Sequence, residues 1–124
     1  MPNKPNMLPP TMRERKRYIA FQVISDEEIE FGNLVSGLWH SLLNLMGEFE
    51  TSQCNVWVVK DKWNNKKQIG LVKCSHNHVK HVRSALALIE MLGDIKVIVK
   101  TLGVSGTMKG AEKKFFGKKK LTDF

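Results

Sequence analysis

The spacing of apolar residues constrains this chain most, because it switches repeatedly between the two-residue period of a strand and the 3.6-residue period of a helix. "RYIAFQVIS", starting at Arg17, sets Ile19, Phe21 and Val23 on one face and Tyr18, Ala20, Gln22 and Ile24 on the other. That pattern predicts a strand covered on both sides. Ser25 with Glu28 reads as a capping box that opens a helix at "DEEIEF". Gly32 is placed to bend this helix; Leu34, Leu38, Trp39, Leu42, Leu45 and Met46 continue it, and Gly47 stops it. "QCNVWVVKD" and "KQIGLVKCS" predict two strands joined through the polar turn "KWNNK". "HNHVKHVRSALALIEMLG" predicts a second long helix, buried through Val79, Val82, Leu86 and Ile89 and stopped by Gly93. "IKVIVKTLG" predicts the last strand, and "TMKGAEKKFFGKKK" a short basic helix anchored by Phe115 and Phe116.

The order is β-α-β-β-α-β plus a basic helical appendage. It predicts an α+β, ferredoxin-like sandwich of the RRM type, with both long helices on one face of an antiparallel sheet. The strands are apolar at nearly every position, so the second face also needs a cover. The C-terminal Phe pair, a second copy of the chain or a partner could supply it.

Charge narrows the function. The net charge is +8, yet it sits at the ends. Residues 1–17 carry +4 and residues 109–124 carry +4, while the middle sums to zero. A neutral body with two basic ends suits a polyanion through phosphate neutralisation and counterion release. The expected organisation is a flexible, proline-rich basic arm over 1–13, one domain over 14–117 and a basic tail over 118–124. No apolar run of membrane-spanning length occurs, and no apolar signal segment opens the chain, which leads to a cytoplasmic expectation. Cys54 and Cys74 read as buried thiols in strands rather than as a disulfide.

Several local patterns invite chemistry. "TLGVSGTMKG" centres on Ser105, but a nucleophile elbow needs glycine two residues either side, and Thr107 stands at the second place. Read as a phosphate-binding loop from Gly103, it puts Met108 where the second glycine belongs, with only Lys109 in place. What remains is a structural turn of Gly103, Ser105, Gly106 and Thr107, which either receives a phosphate on its N–H groups or is capped by Thr107. Cys74, His76, His78 and His81 tempt a zinc reading. Only His78 and His81 share a helix face, however, and the spacing is no recurrent zinc pattern, so no metal is expected. "KDKWNNKK" surrounds Trp63 with lysines, for base stacking or for folding back on its hairpin. The third strand holds no aromatic, and Tyr18 and Phe21 of the first point to opposite faces, so the sheet is not a standard single-strand RNA platform. The cations expected to meet RNA are Arg13, Arg15, Lys16 and Arg17, then Lys62, Lys66, Lys67 and Lys73, then Lys109, Lys113 and Lys114.

Three stretches, "RKRYIAFQVIS", "GLVKCSHNHVKHVRSALALI" and "LGVSGTMKGAEKKFF", together resemble the archaeal ribonuclease P protein component 2 family, which is related to a small subunit of the eukaryotic enzyme. The likeness rests on Lys73 and Cys74 closing the third strand, on Val82, Arg83, Ala85 and Leu86 in the following helix, and on Gly106, Thr107 and Lys109 after the last strand. It covers roughly residues 14–117. The resemblance implies a subunit of a ribonucleoprotein that removes 5′ leaders from precursor tRNA. In it the ribonuclease P RNA is the catalyst and uses Mg²⁺, and this chain has no catalytic residue and binds no cofactor. It further implies self-association and a barrel-type partner similar to ribonuclease P protein component 3. The rival readings are a ferredoxin-like enzyme using Ser105 or the histidines, and a regulatory or metabolite-binding domain with no RNA role.

Overall fold

The computed structural model describes residues 15–115, the last of them by its backbone alone. The expected arm with Arg13, the Phe115 and Phe116 side chains expected as anchors, and the tail over 118–124 lie outside what is described. The strand β1 (Lys16–Ile24) runs through the middle of the sheet, antiparallel to β3 (Ile69–Ser75) on one side and β6 (Ile98–Ser105) on the other. β2 (Trp57–Val58) pairs with β3 and completes the order β2-β3-β1-β6. This is the ferredoxin-like arrangement.

Alternation along β1 has the expected outcome. Ile19, Phe21 and Val23 enter the main core with Leu34, Leu38 and Leu42 of α1 (Phe31–Gln53) and Val82 and Leu86 of α2 (Val79–Leu88). Each such buried side chain contributes about 1.5–3 kcal/mol of transfer free energy. On the opposite face Ala20 lies beside Leu71 and Gly103, and Tyr18 beside Lys73 and Ser105. Opposite the step from Ala20 to Phe21, β6 carries a bulge, where the register jumps from Gly103 to Thr101 and leaves Leu102 over.

Several expected boundaries move, each for a long-range reason. No helix starts at Ser25. Its hydroxyl donates to the Glu27 carbonyl, and α1 begins only at Phe31. The side chain of buried Gln68 holds the intervening segment extended. It accepts from the Ile29 N–H at 2.8 Å and donates to the Val23 carbonyl and to Ser25 Oγ, each at 3.0 Å. Gly32 therefore lies in the first turn and bends nothing. Gly47 does interrupt α1, with φ 85° and ψ 173°, but the chain resumes helical conformation as far as Gln53. That extension consumes the first part of the expected second strand and leaves β2 two residues long. Cys54, expected in a strand, is the C-terminal cap of α1.

The second helix also ends early. Ile89 turns extended, at φ −71° and ψ 122°, and Gly93 is not its stop. Gly93, at φ 66°, makes the turn of a small hairpin between β4 (Met91–Leu92) and β5 (Ile95–Lys96). Extended backbone here lets both Ile89 and Leu92 reach the core. A helix continued through 93 would present them at a different angle.

The second sheet face is partly covered from within. Ala20, Leu71 and Ala111 are fully buried, yet none belongs to the main core cluster. α3 (Met108–Phe115) supplies the cover by packing on β6 and β1. A Lys62–Glu112 ion pair fastens it to the loop after β2.

Candidate nucleic-acid interface

The glycine-rich loop is narrower than the sequence predicts. Gly103 and Ser105 belong to strand β6, and only Gly106 and Thr107 separate it from α3. Ser105 Oγ donates to the Thr107 carbonyl at 3.0 Å and accepts from the Thr107 N–H at 3.3 Å. Thr107 Oγ1 accepts from the Gly110 N–H at 3.0 Å, which is the geometry of a helix N-cap. The two hydroxyls of this turn are therefore spent on its own backbone and on the helix start. An added Cβ at Gly110 would stand 2.7 Å from Ser105 Oγ, so the turn and the helix are packed tightly.

The histidines do not converge. Cys74 is buried in β3, His76 is exposed, and His78 lies with Nε2 3.8 Å from a Glu50 carboxylate oxygen. His78 and His81 do share a face, with ring centroids 5.6 Å apart. Among the described residues no three His, Cys, Asp or Glu side chains are grouped to hold a metal. Both thiols are free. Burial pushes Cys74 up to about 11, with the neighbouring Cys54 adding to the effect, and burial followed by the charge of Glu50 raises Cys54.

Trp63 folds back. Its ring stacks on Phe21 at 6.2 Å and 21°, and Gly70 lacks a Cβ where one would lie 2.8 Å from Phe21 and 2.9 Å from Trp63. Only glycine fits between β3 and that ring pair.

The expected RNA-binding cations divide into two groups. Arg15 stands exposed just before β1, and Lys16 and Lys73 lie on the face that carries Tyr18. Lys109 is exposed in the first turn of α3. Arg17 belongs to the opposite face, opposite Cys74, and its Nη1 donates to the Lys16 carbonyl. The second group surrounds the loop after β2. Lys62 is paired with Glu112, and Lys66 and Lys67 are exposed around an Asn64 side chain that accepts both of their backbone N–H groups. Lys113 and Lys114 are exposed in the last turn of α3.

Sequence patterning alone assigned no role to Trp57. Strand alternation places it on the outer face opposite Lys73, and it is 65% exposed. Period two within "NVWVV" already carried that signal.

No described helix is long and apolar enough to cross a membrane. The fold is shared with a chain in a cryo-EM structure of yeast ribonuclease MRP, at TM-score 0.59 and 12% identity over 76% of each chain. Closer in sequence, the chain is 38% identical to ribonuclease P protein component 2 of Pyrococcus furiosus over 93% of its own length and 94% of the relative's. It is 41% identical to the Pyrococcus abyssi protein of the same name, over 87% and 90% respectively. The Methanocaldococcus jannaschii protein of that name is 39% identical over 91% of this chain and 81% of its own. The Rpp14/Pop5 family model matches residues 17–116, which take in all of the sheet but its first residue, together with the helices, so the chain belongs to the Rpp14/Pop5 family.

Proposed function

We propose that this chain is a protein subunit of the ribonuclease P ribonucleoprotein, supporting the RNA that removes 5′ leaders from precursor tRNA. The observation that carries this reading is end-to-end likeness to ribonuclease P protein component 2, over 93% of this chain and 94% of the Pyrococcus furiosus relative. A protein that serves a catalytic RNA needs cations and docking surface rather than a nucleophile. Ser105 is engaged in its turn, while Lys16, Lys73 and Lys109 stand near one end of the sheet. The RNA performs the cleavage with Mg²⁺, and the lone chain cleaves nothing. In the cytoplasm the chain meets the ribonuclease P RNA through its cations, and precursor tRNA within the assembled particle.

Protein partners take the apolar surface. Ile24, Met91 and Ile98, exposed by 48%, 50% and 64%, border a groove of about 550 Å³. Exposed apolar area of this kind on a small domain marks an interaction surface. It serves a second copy of this chain or a barrel-type subunit similar to ribonuclease P protein component 3.

Reconstitution tests the reading. Adding this chain with the barrel-type subunit to the cognate RNA lowers the Mg²⁺ needed for precursor cleavage, and the chain alone shows no cleavage. An unchanged Mg²⁺ requirement would remove the proposal, and cleavage by the chain alone would replace it with an enzyme.

A further inference from the structure

Three strands of the outer sheet face bring two aromatic side chains and a cation into one row. Trp57 of β2 pairs with Lys73 of β3, which pairs with Tyr18 of β1, so the three side chains stand on one face in successive strands. Neighbouring strands lie about 4.8 Å apart, which puts the two aromatic positions about 10 Å from each other with the lysine between them. Trp57 is 65% exposed and Tyr18 half-buried, and neither stacks on another ring among the described residues. Lys16 continues the same face one step along β1.

The charge on this sheet is one-sided. β1, β2, β3 and β6 together contain Lys16, Arg17, Lys73 and Lys100 and no acidic residue. An exposed tryptophan could equally meet a protein, but a protein contact gives no reason for a lysine between two rings on a sheet without acids. An unpaired nucleotide does: its base has a face to stack and its phosphate has a charge to meet. A duplex hides its base faces and can use only the cations.

We infer that Trp57, Lys73 and Tyr18 form a platform for single-stranded RNA, with a base stacked on Trp57, a second on Tyr18 and the linking phosphate at Lys73. It differs from the usual recognition-domain platform, which uses the two central strands, because its dominant ring lies on the edge strand β2. This inference rests on the proposed ribonucleoprotein role and adds to it a preference for unpaired segments.

The test is binding of the full chain to two labelled probes, a short unstructured oligouridylate and a fully paired RNA hairpin. Trp57→Ala is expected to weaken oligouridylate binding by about 5- to 100-fold, the range for losing one base–aromatic stack, and to change hairpin binding less than about twofold. Trp57→Phe should restore most of the loss. The salt slope for the single strand stays put in both variants, since no charge is removed, and falls by about 0.7 in Lys73→Gln. Trp57 is exposed, so the variants keep their core, and matching unfolding midpoints verify that. Unchanged single-strand affinity, or an equal loss on both probes, overturns the platform. So does retained RNA binding with lost assembly onto the barrel-type subunit, which makes Trp57 a protein contact. If these results occur while reconstitution still lowers the Mg²⁺ requirement, only the platform falls. If the unaltered chain binds neither probe and reconstitution fails, both readings fall together.

Discussion

Replacing Gln68 should cost this small domain a large part of its stability, although the residue is polar and touches no ligand. The residue is 7% exposed, and its side chain makes three hydrogen bonds that tie the 25–30 segment to the end of β1. In Gln68→Ala the N–H of Ile29, a residue only 2% exposed, loses its acceptor. An orphaned buried donor costs about 1–3 kcal/mol. The Val23 carbonyl loses a donor as well, at a smaller cost because a carbonyl has a second lone pair. The sum is about 2–3 kcal/mol, out of a total that for domains of this size is about 5–15 kcal/mol. With about 4–8 °C per kcal/mol, the melting temperature should fall by about 8–24 °C. Backbone conformation adds a second comparison. Gln68 sits at φ 55°, a region that costs a residue with a Cβ about 1–2 kcal/mol. Gln68→Gly should therefore be more stable than Gln68→Ala by about 1 kcal/mol while still falling short of the native chain. Urea unfolding followed by far-ultraviolet circular dichroism measures all three. A loss below about 0.5 kcal/mol in Gln68→Ala, with unchanged slope, would refute the reasoning and mean that water takes over the side chain's bonds. Equal stability of the Ala and Gly variants would refute the strain argument alone.

Neutralising Arg15, Lys16 and Arg17 together should flatten the log–log salt dependence of RNA binding by roughly two, at about 0.7–0.9 for each phosphate no longer neutralised; an unchanged slope would make them solubilising residues only. Ser105→Ala should leave precursor cleavage by the assembled enzyme within about twofold, whereas a loss of about a thousandfold would restore the nucleophile. Thr107→Ala removes the cap on α3 and should cost about 1 kcal/mol in the same unfolding assay, with no loss marking the cap as dispensable. Stability should decline as pH rises from about 9 toward 11. Burial holds the folded Cys74 thiol near 11 against an ordinary 9.0, so the unfolded chain releases that proton first and is favoured at high pH. The Cys54→Ala, Cys74→Ala double variant should lose less stability across that window, and an identical decline would assign it to other groups.

Elements whose signals are local were legible in the sequence. β1 announces itself by alternation, and its face assignment, with Ile19, Phe21 and Val23 inward, agrees with the register. The order of the four sheet strands and two long helices is likewise a local signal, and so is the break at Gly47, although α1 resumes beyond it and the β4–β5 hairpin was not foreseen. What the sequence misplaced depends on distant contacts. The start of α1 is set by Gln68, 39 residues beyond Ile29, and no capping rule contains that information. The early end of α2 follows from where Ile89 and Leu92 must enter the core. At the candidate site the cations were visible but not their grouping: alternation alone separates Lys16 from Arg17, whereas bringing Lys73 beside Tyr18 and Trp57 takes the register between strands. Trp57 was visible too, but an aromatic search confined to the first and third strands passes over the second.

The position of α3 has a consequence for how a particle could be put together. It packs on β6 and β1, on the face where Ala20 is fully buried, and is tied down through Glu112. The Trp57–Lys73–Tyr18 row lies toward the end of the sheet where Tyr18 pairs with Ser105, and the Ile24–Ile98 pair lies at the other end. The two stretches share no residue, so a ligand on one does not displace a ligand on the other, and their free energies should add. A nucleic acid and a protein can then be accommodated in either sequence of arrival, with no need for one to clear the way for the other.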